Sequence, residues 1–169
     1  MEDLPTTLRS ALAKNGHDIL ILDPTDKAYT KQLTSLNRDV VHNPAIIVQP
    51  ATTRDVCAVV KLAKKHALRV VIAGGRHGHD CLADGALCID LSRMRKVDVD
   101  AYNRTVTVEG GCKLGDMDKA CQPFGLAAVT GTNPDTGVVG LSTAGGAGYP
   151  SRLYGMAVDN MVGAEVVLA

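Results

Sequence analysis

The sequence has few aromatic residues, no tryptophan, and charges that cancel. Four tyrosines and one phenylalanine are too few for the stacking platform on which single-stranded nucleic acid binds. Lysine plus arginine equals aspartate plus glutamate at 18 each, so the formal net charge is zero and no basic field attracts nucleic acid. The longest apolar runs fall far short of the ~20 residues that span a bilayer. These absences predict a protein that binds neither nucleic acid nor a membrane.

The cysteines and histidines lack the spacing of a disulfide framework or of a metal site. The five cysteines are odd in number and contain no C-x-x-C pair. His77 and His79 are two positions apart and would share one face of an extended segment, but no further ligands complete a set. We therefore expect no metal site, and we expect most cysteines to be small buried side chains.

The chain length and the first residues bound the class of protein. A chain of 169 residues with 46% hydrophobic content is long enough for one substantial core and short for two. The acidic start at Glu2 and Asp3 is not the basic region followed by an apolar core that marks a secretory signal. A cytoplasmic location is predicted.

A glycine-dense segment with two histidines follows a β-branched run. The sequence AGGRHGHD at residues 73–80 comes directly after Val70-Val71-Ile72. Glycine permits positive φ and close backbone approach to an anion, so a strand that enters such a loop suggests a phosphate cradle. The segment is neither the dinucleotide fingerprint nor a Walker loop, and a tight turn between two elements is the alternative. The candidate ligand-binding residues here are Gly74, Gly75, Arg76, His77, Gly78 and His79.

A second small-residue segment, GVVGLSTAGGAGY, occupies residues 137–149 and is predicted to be a loop. A backbone with so few side chains suits a large planar or phosphorylated ligand, although close packing of two main-chain segments is the alternative. Two separated segments of this kind point to one extended cofactor.

The first half of the chain predicts a βαβ lobe. Short helices are expected at residues 5–14 and 26–36, and a buried strand at residues 46–48. Thr52 or Thr53 caps a helix that runs to about Ala67, with apolar residues at three- and four-residue spacing. A strand at residues 70–73 completes a right-handed βαβ unit, whose glycine loop lies at the carboxyl end, where open α/β sheets bind ligands.

The second half predicts an antiparallel lobe. A strand at residues 87–91 is followed by a period of two at residues 96–100 and 105–109, with a turn between them, which indicates a hairpin. A short helix at residues 114–122 and a strand at residues 162–168 complete the pattern. The fold class is therefore α+β with two sub-lobes.

Several motifs resemble a known family in their sequential order. They are GGRHGHD, IDLS at residues 89–92, VTVEGG at residues 106–111, the TGVVGLSTAGGAGY segment, and YGMAVDN at residues 154–160. Together they resemble the FAD-binding PCMH-type domain of the vanillyl-alcohol oxidase and p-cresol methylhydroxylase superfamily, and within it the berberine-bridge-enzyme-like oxidases near the 6-hydroxy-D-nicotine oxidase branch. The resemblance assigns residues 41–169 to this domain and residues 1–40 to an N-terminal helical segment.

The resemblance implies a cofactor and its contacts. His77 stands where the family attaches the flavin 8α-methyl group covalently, although a loop histidine bonded to backbone is the alternative. Arg76 stands where a third glycine is commoner; its guanidinium either pairs with the FAD pyrophosphate or points to solvent. Asn133 replaces a cysteine of bicovalent relatives, so no second covalent bond is expected. Besides the first loop, the implied FAD-binding residues are Thr136, Gly137, Gly140, Leu141, Gly145, Gly146, Gly148, Tyr149, Asn160 and Val166.

The resemblance also implies a function. Family members remove a hydride from a C–H bond of a small-molecule substrate beside an amine or hydroxyl and pass electrons to dioxygen. No catalytic base is assigned, since relatives carry it in a substrate domain that we expect to lie outside this chain, together with the C-terminal part of the flavin domain.

Other interpretations stay open at this stage. The chain is a flavin subunit completed by a second polypeptide or an oligomer, a truncated chain, or a noncatalytic paralogue that keeps the fold for a partner. A flavin subunit of a molybdenum hydroxylase and a cell-wall enolpyruvyl reductase share the fold and are weaker alternatives, because the GGRH histidine argues against both.

Overall fold

The computed structural model describes residues 4–13, 16–39 and 41–169, which form two compact units. The first unit comprises Met1–Arg93 and Val166–Ala169, and the second comprises Met94–Glu165. Lys14 and Val40, at which two of the predicted boundaries fall, lie outside the described residues, as do Glu2 and Asp3. Within the described ranges, no helix is long and apolar enough to cross a membrane.

In its described residues, the first unit contains two α-helices and a four-stranded sheet. Its elements are α1 Leu4–Ala13, β1 Ile19–Leu22, β2 Ile46–Pro50, α2 Thr53–Lys65, β3 Val70–Ala73 and β4 Leu87–Asp90, with 3-10 helices at Thr30–Leu33, His79–Cys81 and Leu91–Arg93.

The sheet has the order β1-β2-β4-β3. β1 pairs with β2 antiparallel, whereas β4 pairs in parallel with both β2 and β3. The predicted β2-α2-β3 unit is present, but β4 lies between its two strands, so the connection crosses over one strand. Because parallel neighbours end at the same edge, the carboxyl ends of β3 and β4 bring Ala73 opposite Asp90.

The central strands β2 and β4 are buried on both faces by apolar side chains. On one face Ile46, Val48 and Leu87 pack with Leu8 of α1 and Val59 of α2. On the opposite face Ile47 and Cys88 pack with Leu22, Tyr29, Ala73 and Leu82. A central strand buried on both sides explains the continuous apolar runs of β2 and β4, which strict alternation would not predict.

A capping box fixes the start of α2. The Thr52 hydroxyl accepts a hydrogen bond from the Asp55 backbone N–H at 3.2 Å, and the Asp55 carboxylate accepts one from the Thr52 backbone N–H at 3.0 Å. The buried Asp55 carboxylate also contacts His17 Nδ1 at 2.9 Å. The sequence prediction of a threonine cap at this helix is confirmed.

The second unit combines a hairpin with short helices. Its elements are β5 Val97–Asp100, β6 Thr105–Val108, α3 Leu114–Cys121, α4 Val138–Thr143 and α5 Ser151–Tyr154, with 3-10 helices at Gln122–Phe124 and Val158–Asn160. Cys112, Leu114, Met117, Cys121 and Val138 form the buried centre of this unit. The predicted hairpin and α3 are confirmed.

Three sequence predictions of local structure are wrong. Residues 162–168 are not a strand, because β-branched residues form a strand only beside a partner strand, and none pairs with them among the described residues. Residues 26–36 form only the 3-10 helix Thr30–Leu33, and residues 138–143 of the predicted loop are helical. The strand β1 was not predicted at all.

Candidate functional site

The first glycine segment leaves the sheet at the carboxyl end of β3. Ala73 is buried, Gly74 to His77 are half-buried, and Gly78 and His79 are exposed. A Cβ placed on Gly78 would meet no atom of the described chain within 4 Å. The loop thus presents open backbone at the edge of the sheet that the sequence predicted for ligand binding.

Arg76 turns inward and pairs with two other side chains. Its Nη2 donates hydrogen bonds to Asp90 Oδ2 at 2.7 Å and to Gln32 Oε1 at 3.0 Å. Its backbone carbonyl accepts a hydrogen bond from the Leu36 N–H at 3.0 Å. The guanidinium thus forms an internal ion pair with Asp90, and 16% of the side chain remains accessible. Contact of Arg76 with the FAD pyrophosphate stays a prediction.

Asp90 is a fully buried carboxylate beneath this loop. Besides Arg76, it accepts hydrogen bonds from the Gln49 side-chain amide and from the Ser92 backbone N–H. A buried charge is tolerated when it is paired and hydrogen-bonded, as this one is. Sequence reasoning did not assign a role to Asp90, although a carboxylate at the end of an apolar strand was a signal that it needs a buried partner.

His77 and His79 do not lie on one extended segment. Gly78 separates them, and His79 begins the 3-10 helix His79–Cys81. The described residues contain no group of three or more histidine, cysteine, aspartate or glutamate side chains that would hold a metal ion. His77 is therefore held in the loop as a half-buried imidazole with an open glycine after it.

The cysteines near this loop are protonated thiols. All five cysteines are free, and Cys88, Cys112 and Cys121 are buried. Burial raises the pKa of Cys88 to about 12 and also raises the pKa of Cys81. Neither thiol is a ready nucleophile near neutral pH, because the reactive form of cysteine is the thiolate.

The second glycine segment is built around α4. Residues 136–138 are anchored to residues 112–114: the Leu114 N–H donates to Thr136 O at 2.9 Å, and the Val138 N–H donates to Cys112 O at 3.0 Å. Gly137 is buried and Gly140 is exposed. A Cβ on Gly140 would meet nothing of the described chain within 4 Å, so its backbone is open to a ligand.

The space beside two later glycines of the same segment is occupied by other atoms of the chain. A Cβ on Gly148 would lie 1.8 Å from the Thr130 carbonyl oxygen, and one on Gly146 would lie 2.3 Å from Leu141 Cδ2. Gly146 also has φ +74°, a conformation that favours glycine. Close packing within the chain therefore accounts for glycine at these two positions. The open surroundings of Gly140 fit contact with a ligand instead.

The remaining predicted residues differ in environment. Tyr149 is 89% exposed, and Val166, which belongs to the first unit, is 68% exposed. Asn160 Nδ2 donates to the carbonyl oxygens of Tyr154 and Met156, both at 2.9 Å, so this amide holds its own turn. Asn133 caps a turn by accepting a hydrogen bond from the Asp135 N–H at 3.0 Å.

The second unit also contains a largely apolar cavity of about 430 Å³. Val99, Val106, Leu126 and Val129 contribute to its wall, with Arg104 and Tyr154 as polar members. None of the predicted cofactor-binding residues lines it, so it is separate from the glycine segments.

The α+β fold, with an open glycine loop at the carboxyl edge of a parallel sheet and a second small-residue segment, defines the chain as a binding domain for a large cofactor. Residues 44–169 match the FAD binding domain family, and the chain belongs to that family. FAD is therefore its cofactor, and the predicted resemblance and α+β fold class are confirmed.

Similar proteins agree with this assignment. An FAD-linked oxidoreductase of Dictyostelium discoideum is 38% identical over 131 residues, covering 78% of this chain and 29% of the relative. The structure of 6-hydroxy-D-nicotine oxidase from Arthrobacter nicotinovorans superposes with a TM-score of 0.82 at 28% identity, covering 85% of this chain and 32% of that one. Glucooligosaccharide oxidase from Acremonium strictum gives a TM-score of 0.80 at 29% identity, covering 90% and 32%. The chain thus spans about a third of the length of these relatives.

The first loop fits FAD in the features that the structure describes. Its backbone is open at Gly78, its imidazole at His77 is half-buried, and the residue before that imidazole is fixed by an internal ion pair. Open glycine backbone is what close approach to a phosphorylated ligand requires.

Proposed function

We propose that this chain is the FAD-binding portion or subunit of a flavin-dependent oxidase. The observation that carries the proposal is the half-buried His77 beside open glycine backbone, at the carboxyl edge of the sheet, in a member of the FAD binding domain family. When bound, FAD supplies hydride acceptance from a C–H bond beside an amine or hydroxyl, and transfer of the electrons to dioxygen.

His77 is proposed to hold FAD covalently through an imidazole nitrogen. Glucooligosaccharide oxidase, a structural neighbour, is described as carrying a 6-S-cysteinyl, 8α-N1-histidyl FAD. Asn133 supports a single bond here, since its amide lacks the thiol needed for a cysteinyl bond and instead caps a turn.

The glycine segments are proposed to bind the rest of the cofactor through backbone. In the first unit these are Gly74, Gly75 and Gly78; in the second they are Gly137 and Gly140. A Cβ on Gly78 or on Gly140 would meet no atom of the described chain within 4 Å. The other residues that the resemblance implies, Tyr149 and Val166 among them, stay predictions.

The domain boundary, partners and location complete the proposal. We place the FAD-binding domain at residues 41–169; β1 of the preceding segment pairs with β2, so the first 40 residues contribute a strand as well as a helix.

Leu153 is 82% exposed and Val162 89% exposed, which supports cover by a second polypeptide or a second copy. The substrate is a small molecule, and a cytoplasmic location stays a prediction.

The test of function is the fate of the flavin in purified protein. Acid precipitation should leave yellow flavin in the wild-type pellet, because a covalent bond survives denaturation. On acid precipitation, His77→Ala should release all of its FAD into the supernatant. Before precipitation, the folded His77→Ala protein should still show flavin bands in its visible spectrum. His66→Ala is the control, since it removes an exposed histidine at the end of α2, outside the loop, and it should keep the flavin in the pellet.

The outcomes separate binding from attachment. A colourless, folded wild-type protein that takes up no added FAD would contradict the whole proposal. Flavin found only in the wild-type supernatant would contradict covalent attachment while leaving FAD binding intact.

A further inference from the structure

We infer that Arg76 is a positioning residue for covalent flavin attachment, acting through the buried carboxylate of Asp90 to hold His77 in place. The inference rests on the proposed attachment at His77. It gives Arg76 a role that differs from contact with the cofactor, because the guanidinium is turned away from the open side of the loop and into the sheet.

Three residues, far from Arg76 in the sequence or on another strand, hold the residue that precedes His77. Asp90 at the end of β4 and Gln32 of the 3-10 helix Thr30–Leu33 both accept hydrogen bonds from Arg76 Nη2, at 2.7 and 3.0 Å. Leu36 donates its backbone N–H to the Arg76 carbonyl oxygen at 3.0 Å. With its side chain and carbonyl both fixed, Arg76 leaves the backbone at His77 little freedom to swing.

The backbone conformation at Arg76 also indicates that its surroundings hold this residue in place. Its φ is +56°, in the left-handed region that costs a non-glycine residue about 1 kcal/mol or more. Glycine would occupy this position without that cost. A strained arginine persists where its surroundings over-determine it, and here the surroundings are the three anchors.

The Asp90 anchor is itself rigid. Asp90 is fully buried and also accepts hydrogen bonds from Gln49 of β2 and from the Ser92 backbone N–H. The ion pair therefore joins the loop to two central strands of the sheet. A reacting group held on such a support reacts faster than a mobile one, because misplacement of about 1 Å costs up to about 100-fold in rate.

The reaction that this positioning serves is balanced as follows. Attachment replaces the imidazole N–H bond of His77 and one C–H bond of the flavin 8α-methyl group by an N–C bond. Dioxygen takes up the two electrons and two protons as hydrogen peroxide. The imidazole nitrogen must meet the methyl carbon in line for this bond to form, so the rate of attachment reports the position of His77.

The experiment compares attachment rates in purified apoprotein mixed with FAD in air. Arg76→Gly keeps the positive φ but removes the guanidinium, and we expect attachment to slow by about 10- to 100-fold, with noncovalent FAD affinity changed less than about threefold. Arg76→Lys keeps a charge for Asp90 and should recover part of the rate. Arg9→Met is the control, since Arg9 pairs with Asp23 and Asp26 in the same unit but outside the loop. Attachment is followed by in-gel flavin fluorescence.

The double variant R76G/D90N separates positioning from stability. It removes both members of the buried ion pair, so no unpaired buried charge remains. Its unfolding temperature should therefore be higher than that of Arg76→Gly and closer to wild type, while its covalent attachment of flavin should stay slow. Recovery of both quantities together, or wild-type attachment in Arg76→Gly, would overturn the inference. If wild type forms no covalent flavin, the proposed attachment itself has failed, and noncovalent FAD binding measured alongside shows whether the binding proposal survives.

Discussion

Single glycines in the second segment have opposite constraints. The space beside Gly148 is occupied by a backbone carbonyl, whereas Gly140 lies open on the surface of α4. Backbone cannot move aside as a flexible side chain can, so an added methyl at Gly148 forces the segment away from Thr130. At Gly140 the same methyl meets no protein atom of the described chain and enters the space proposed for FAD.

The pair Gly148→Ala and Gly140→Ala tests this contrast. Gly148→Ala should lower the free energy of unfolding by about 3 kcal/mol or more, as overpacking against backbone does. Gly140→Ala should raise it by up to about 1 kcal/mol, since alanine is favoured over glycine inside a helix, and should weaken FAD binding about tenfold. Urea denaturation and FAD titration measure the two effects. A Gly140→Ala protein with unchanged FAD affinity would show that α4 does not face the cofactor.

At the residue scale, the sequence predicted where the loop lies but not where Arg76 points. The glycine pattern and the preceding β-branched run were enough to place a ligand loop after β3. The direction of Arg76 depends on Asp90 and Gln32, which are 14 and 44 positions away and meet it only through the parallel pairing of β3 and β4 and the position of a 3-10 helix. Such a contact is set by tertiary structure, and local pattern does not reveal it.

At the scale of elements, one carboxylate, Asp55, holds the start of α2. Burial raises the pKa of Asp55, but hydrogen bonds from Thr52, His17 and the backbone of Ala51 outweigh burial, so the pKa is lowered overall. A carboxyl group with a lowered folded-state pKa stabilises the fold above its unfolded value near 4, and this stabilisation is lost as the pH falls through the folded value.

Asp55→Asn should therefore destabilise the protein in a pH-dependent way. At pH 7 we expect a loss of about 2 kcal/mol, because the cap charge and its contact with His17 disappear. The difference in free energy of unfolding between Asp55→Asn and wild type should narrow as the pH falls below about 4. Urea denaturation at stepped pH measures this, with Asp98→Asn, which alters an exposed carboxylate of β5, as the control. A gap that stays constant down to pH 3 would contradict the charge argument.

The elements with a strong pattern were predicted, and the short or unpaired ones were not. Period-two alternation identified β5 and β6, and a threonine cap with an apolar stripe identified α2. β1 has only four residues, all apolar, between weak helix signals. α4 contains glycine and reads as a loop, although burial of Val138 and bonds to residues 112–114 hold it in place.

For the whole molecule, the proposed FAD-binding residues fall in both compact units. FAD that binds only the folded protein stabilises it by about 2.7 kcal/mol at a free concentration 100 times the dissociation constant. We expect FAD to slow amide hydrogen exchange at residues 74–78 and at residues 137–146 alike, as measured by mass spectrometry. Riboflavin, which lacks the pyrophosphate, is the control and should protect fewer amides. Protection confined to the first unit would limit the cofactor site to the GGRH loop.

The strand order of the first unit constrains how the protein emerges from the ribosome. β4 is the last of the four strands in sequence, yet it lies between β2 and β3. Until residues 87–90 have been synthesised, each of those strands exposes an edge with unpaired backbone groups, to which other chains can add. We therefore expect chaperone binding, or slow translation just before residue 87, to change the yield of native protein, because these edges of β2 and β3 stay unpaired until β4 is available.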